Sequence, residues 1–156
     1  MIFDTDVLIW AFRGNDYAIA AIDGEADRKI SGVTYMELMK GARNKSEFRE
    51  IKRYLTGMGF RTVHLNEEIS SRAATLIEEL SLKSDIGMAD ALIFATALQT
   101  GDVLLSGNYH HFKDVPNLTA KRFSPYPKGK SAHESTFESI SIPFAHCIRI
   151  RKGMNV

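Results

Sequence analysis

Apolar positions along this chain fall into two patterns: short continuous runs, and longer stretches where they recur every third or fourth residue. The first pattern reads as buried strands and the second as helices with one buried face. Met1–Thr5, Arg28–Val33, Arg61–Leu65, Asp102–Ser106 and Leu118–Phe123 are the expected strands. A helix is expected after the first, with Thr5 or Asp6 as its cap and Val7, Leu8, Ile9, Trp10 and Phe12 packed inward. Asn15–Gly24 and Thr34–Arg43 read as further helices, and Ser46–Gly57 as another, with Phe48, Ile51, Tyr54, Leu55 and Met58 at helical spacing. Asn66–Leu82 carries Ile69, Ala73, Leu76, Ile77 and Leu80 on one stripe. Met88–Thr100 reads as a mostly buried helix, with Gly101 where a C-cap belongs. Strands alternating with helices predict an α/β domain: a parallel sheet with helices on both faces.

Composition changes that picture in one place. After Pro125 the chain turns rich in Ser, Lys, Gly, His and Pro, then ends on Arg149, Arg151 and Lys152. Residues 1–125 therefore read as the domain and 126–156 as an extension, disordered or non-native. The 156 residues, 44% hydrophobic and 25% charged, suit one domain with a real core. Cys147 is the single cysteine, which excludes an internal disulfide framework and a cysteine-based zinc site. No apolar run is long enough to span a bilayer, and acids at positions 4 and 6 argue against a signal peptide, so a cytoplasmic protein is expected. The net charge of +1 gives no general attraction for nucleic acid, so any such binding needs a local patch.

The candidate chemistry lies in acids framed by apolar residues. Asp4 sits in Ile2-Phe3-Asp4-Thr5-Asp6-Val7, Glu37 in Tyr35-Met36-Glu37-Leu38, and Asp90 in Met88-Ala89-Asp90-Ala91-Leu92. An ionised acid in such a frame is costly unless something pairs with it. Ordinary helix-start roles exist for two of them. Thr34-x-x-Glu37 fits a capping box, and Asp90 lies in a first helical turn, where the dipole favours an anion. Asp4 has no evident backbone role within a terminal strand. All three fall at the carboxyl edge of the expected sheet, where ligands collect in such folds. If the fold gathers them, a divalent cation is the simplest neutraliser, and oxygen ligands suit Mg²⁺ or Mn²⁺. Ser106 and Asn108, in Leu104-Leu105-Ser106-Gly107-Asn108-Tyr109-His110-His111-Phe112, emerge at the same edge. His110 and His111 read as surface or packing residues.

Taken in series, these motifs resemble the PIN-domain nucleases, and within them the VapC-type toxins of toxin–antitoxin pairs. The resemblance rests on Asp4-Thr5-Asp6, Thr34–Gly41, Asp90–Ala97 and Leu104–Phe112, and spans about residues 1–125. It implies a three-layer α/β/α sandwich and metal-dependent cleavage of RNA. Asp4, Glu37 and Asp90 fall on the family's acidic metal positions. Many members carry a fourth acid where this chain has Asn108 or His111, which leaves Asp6 to supply a further oxygen. A homodimer and a cognate antitoxin are the implied partners.

On that reading Asp4, Glu37, Asp90 and Asn108 are the catalytic candidates, with Asp4, Glu37, Asp90 and Asp6 around Mg²⁺ or Mn²⁺. RNA would be held by Arg13, Lys40, Arg43 and Ser106, with Lys45, Arg49, Lys52 and Arg53 as further rim cations. Trp10, Phe12, Tyr17, Phe48, Tyr54 and Leu55 either line an antitoxin groove or are core. Two other functions stay open. Asp4-Thr5-Asp6 after a first strand also opens the haloacid-dehalogenase-type phosphatases, although Val7-Leu8 stands where Gly-Thr usually follows. The chain could equally be an inactive PIN-like module that binds RNA or protein.

Overall fold

The computed structural model describes residues 1–126; Cys147 and nearly all of the expected 126–156 extension lie outside them. The strands are β1 (Ile2–Phe3), β2 (Lys29–Ser31), β3 (Arg61–Val63), β4 (Leu104–Ser106) and β5 (Ala120–Arg122). The helices are α1 (Thr5–Phe12), α2 (Asp16–Asp23), α3 (Gly32–Gly41), α4 (Lys45–Gly57), α5 (Glu67–Leu80), α6 (Met88–Thr100) and α7 (Tyr109–Phe112). The five strands form one sheet in the order β3-β2-β1-β4-β5, and every pairing is parallel.

Strand pleating sends neighbouring residues to opposite faces, and two cores result. Phe3, Ile30, Leu105 and Phe123 join Val7, Leu8, Phe12, Ile22, Leu38, Ile51 and Leu55 under α1 to α4. Ile2 and Leu104 face the other way, onto Ile69, Leu76, Ile93, Phe94 and Phe112 of α5, α6 and α7. The chain is a three-layer α/β/α sandwich, and the antitoxin-groove candidates Phe12 and Leu55 are core in it. Tyr17 and Phe48 are exposed.

Connections from β1 run outward to β2 and β3, then return across the sheet to β4 on the other side of β1. The direction of winding therefore reverses between β1 and β4. In sheets of this kind the carboxyl edge at such a reversal is where ligands collect.

Strands prove shorter than the apolar runs suggested because their ends are taken by helix starts. Asp4, not Thr5 or Asp6, caps α1: its carboxylate accepts the Thr5 amide at 2.7 Å, so the acid does have a backbone role. At α3 the expected box fails for a related reason. Ser31 precedes Thr34 and takes the cap, accepting the Val33 amide at 3.3 Å, so the helix starts at Gly32 and Glu37 stands beyond its first turn. Asn15, Asn44 and Asn66 cap α2, α4 and α5 through their side-chain oxygens. Gly101 ends α6 at φ 67°, the left-handed conformation that glycine adopts without a Cβ penalty. Asn15 also donates to the Pro125 carbonyl at 2.9 Å, and Tyr126 packs edge-on against Trp10, which ties the last described residues to α1 and α2. Among the described residues no helix is long and apolar enough to cross a membrane.

Candidate functional site

The acids lie around the carboxyl ends of β1 and β4. Asp4 follows β1 and is 6% exposed. Thr5 joins it to Glu37: the Thr5 amide donates to Asp4, and the Thr5 hydroxyl donates to Glu37 Oε2 at 2.5 Å. Asp90 enters from the first turn of α6, where Oδ2 accepts the Gly87 amide at 3.3 Å. That contact is the helix-start role expected of it. The same oxygen lies 2.8 Å from His111 Nδ1.

Asp6, in the first turn of α1, reaches the β4–α7 turn. Its Oδ2 accepts the Gly107 amide at 2.8 Å, while Oδ1 is buried with no hydrogen-bond partner. Ser106, expected at the substrate, is fully buried. Its hydroxyl bonds the Asp4 carboxyl and accepts the Asn108 amide at 3.0 Å, so it braces Asp4. Asn108 Nδ2 is placed 2.6 Å from His111 Nδ1.

His111, expected to be a surface or packing residue, is half-buried and packs against Asp90. The signal was present: Asn108 and His111 are three apart, the spacing that brings side chains together on one helix face.

Electrostatics mark Asp4 as the strained member. Burial raises its pKa from 3.8 to about 7, and the Asp6 and Asp90 charges push the same way, against the Ser106 and Thr5 hydrogen bonds. Asp6 is also raised, by burial first and by Asp90, with the Gly107 and Val7 amides opposing. Among the described residues no three carboxylate or imidazole side chains stand in ion-ligating geometry. Each acid is tied to a protein donor instead. The donor set still fits a hard divalent cation: carboxylates whose charges raise one another's pKa, and a buried Asp6 oxygen with no hydrogen-bond partner.

The expected RNA contacts are dispersed. Arg13 closes α1 at the end away from Asp4 and lies 5.4 Å over the Trp10 ring. Arg43 is bound to buried Glu47 through its backbone N and Nε, both at 2.8 Å, and through Nη2 at 2.6 Å. Lys40 is exposed, one turn beyond Glu37.

The fold has counterparts among solved structures. A toxin–antitoxin complex from Klebsiella pneumoniae superposes with a TM-score of 0.65 at 28% identity, over 80% of this chain and 97% of that one. VapBC2 from Rickettsia felis, bound to a promoter DNA fragment, gives 0.69 at 21% identity, over 80% and 100%. VapBC-1 from nontypeable Haemophilus influenzae gives 0.67 at 24%, over 78% and 98%. No curated protein matches the chain. The PIN domain model matches residues 1–118, a stretch that holds Asp4, Glu37, Asp90 and the β4–α7 turn, and the chain therefore belongs to the PIN domain family.

Proposed function

We propose that this protein is a metal-dependent endoribonuclease that acts in the cytoplasm as the toxin of a toxin–antitoxin pair. The observation that carries the reading is Asp4. A carboxyl buried at the winding reversal, facing two other acids and held near a pKa of 7, is a poor structural choice and a good cation site. Membership of a family of nuclease-type hydrolases supports the chemistry. The family match also speaks against the phosphatase alternative.

Asp4, Glu37 and Asp90 would hold Mg²⁺ or Mn²⁺, with the free oxygen of Asp6 available as a fourth donor. Bound there, a divalent cation supplies Lewis acidity toward water and neutralises charge at the scissile phosphate. The protein's own residues do the positioning. Thr5 fixes the Asp4 and Glu37 carboxylates relative to each other, and Ser106 holds Asp4 from the β4 side. His111 and Asn108 set the angle of Asp90, the kind of support on which ligand geometry depends. No side chain here is needed as a nucleophile, because water can be activated in place. The solved structures of similar fold are toxin–antitoxin complexes, which supports an antitoxin as the protein partner. A homodimer is proposed with it.

The test is a mixed RNA pool incubated with Mg²⁺ or with EDTA. Wild type should cleave only with metal, leaving 5′-phosphate ends, and Asp4→Asn should not cleave. Glu37→Gln should keep the fold and lose cleavage, since glutamine preserves the shape but not the anionic ligand. Equal cleavage with and without metal would discard the reading. RNA that is bound but never cut would favour the inactive module.

A further inference from the structure

Resting on the ribonuclease reading, we propose that Arg122 and Tyr109 form a contact for single-stranded RNA beside the carboxylates. The guanidinium takes a backbone phosphate and the phenol ring stacks on the neighbouring base.

Position is the first ground. Arg122 ends β5 in register with Ser106, so the two share a face of the sheet, and the Ser106 hydroxyl touches Asp4. Tyr109 follows Asn108 directly and opens α7, the helix whose His111 contacts Asp90. Each member of the pair is thus anchored one step from a group that touches a proposed metal ligand. Lys40, beyond Glu37 on the β2 side, supplies a cation on the opposite flank.

Charge is the second ground. A cluster of acids repels RNA, so the strand must be drawn in by cations at the rim. Some described cations are already paired with acids. Arg43 is taken by Glu47, and Lys29 and Arg61 pair with Asp27 and Asp102 at the far edge of the sheet. Arg122 has no carboxylate partner among the described residues. Its Cζ lies 5.6 Å from the Tyr109 ring centroid. A guanidinium placed over a ring keeps N–H groups able to grip a phosphate, which an ion-paired one does not.

Shape is the third. The Tyr109 ring is 43% exposed, and its orientation is fixed by an edge-to-face contact with Phe112 at 5.5 Å and 88°. A rigid, open aromatic next to an unspent arginine is the arrangement that single-strand binders use, with stacking that tolerates any base.

The alternative is that the pair only pins β5 to α7, and the variants separate the two. Binding of a fluorescein-labelled single-stranded oligoribonucleotide is followed by anisotropy in EDTA, alongside thermal melts. Arg122→Gln, which keeps the aliphatic stem, should bind about tenfold more weakly at an unchanged Tm. Its slope of log affinity against log salt should fall by about 0.7, the loss of one phosphate contact. Tyr109→Leu should lose a similar factor and Tyr109→Phe almost none. Unchanged affinity and salt slope in Arg122→Gln would overturn the proposal, as would a loss that only tracks a lowered Tm. With Mg²⁺, a raised KM at constant kcat in Arg122→Gln supports it and an unchanged KM overturns it. If wild type cuts no RNA, the ribonuclease reading fails, while the anisotropy series still decides for Arg122 and Tyr109.

Discussion

Thr34 shows what a single misread residue can teach. Its spacing to Glu37 suits a capping box, yet Ser31 lies closer to the strand end and takes the cap first. Thr34 is left inside α3 with Oγ1 buried and unpartnered. A buried hydroxyl without a hydrogen bond costs about 1–3 kcal/mol, and a β-branched apolar side chain of the same shape avoids that cost. Thr34→Val should therefore stabilise the protein by about 1 kcal/mol, read as a higher urea midpoint at constant m-value. A lower midpoint would mean that the hydroxyl has a partner under native conditions. Ser31 behaves differently: its hydroxyl also meets Thr96 at 3.0 Å, linking the start of α3 to α6. Nothing in the sequence flags that pair, because the two residues are 65 apart and meet only once the sheet is covered.

At the scale of elements, the helices were legible wherever a stripe was long. Ile69, Ala73, Leu76 and Leu80 line the buried face of α5, and Gly101 closes α6, as the spacing and the glycine predicted. The strands were legible in place but not in length, since Asp4 and Ser31 each end a strand and cap a helix. The four-residue helix α7 was not legible, being too short for periodicity to show. Its attachment to the site depends on Gly107. A Cβ built there would stand 2.5 Å from Asp6 Oδ2, an oxygen that the Gly107 amide itself holds. This glycine is required by close approach rather than by a positive φ. Gly107→Ala should displace the β4–α7 turn from α1, lowering both stability and RNA cleavage. Asp6→Ala removes the obstacle, so the double variant should lose less stability than the two single losses combined. A coupling of about 1 kcal/mol or more in that cycle is expected. Strict additivity would show that the contact is not felt.

The molecule as a whole sorts its charges between the two edges of the sheet. At the amino edge the chain's terminal ammonium, Lys29 and Arg61 are paired with Asp102 and Asp27. At the carboxyl edge acids face acids, and that imbalance sets how stability responds to pH. Asp4 has an unfolded value of 3.8 and a folded value of about 7. Between those values the folded chain keeps a proton that the unfolded chain has lost, so unfolding releases protons and stability falls as pH rises. The contribution is complete below 3.8 and gone above about 7. Asp6 is shifted in the same sense. Carboxyls held low by an arginine, such as Glu47 beside Arg43, act oppositely but finish titrating at more acid pH. In EDTA the wild-type Tm should therefore decline from pH 5 to pH 8. Asp4→Asn, which is neutral throughout and can still cap α1, should decline much less and melt above wild type at pH 8. Mg²⁺ should raise the wild-type Tm at pH 8, where Asp4 is ionised, and do little at pH 5. A thermal-melt series with and without the ion reads all three effects. Parallel pH profiles for the two proteins in EDTA would show that Asp4 is not the group that titrates, and would remove the main physical support for a cation at this edge.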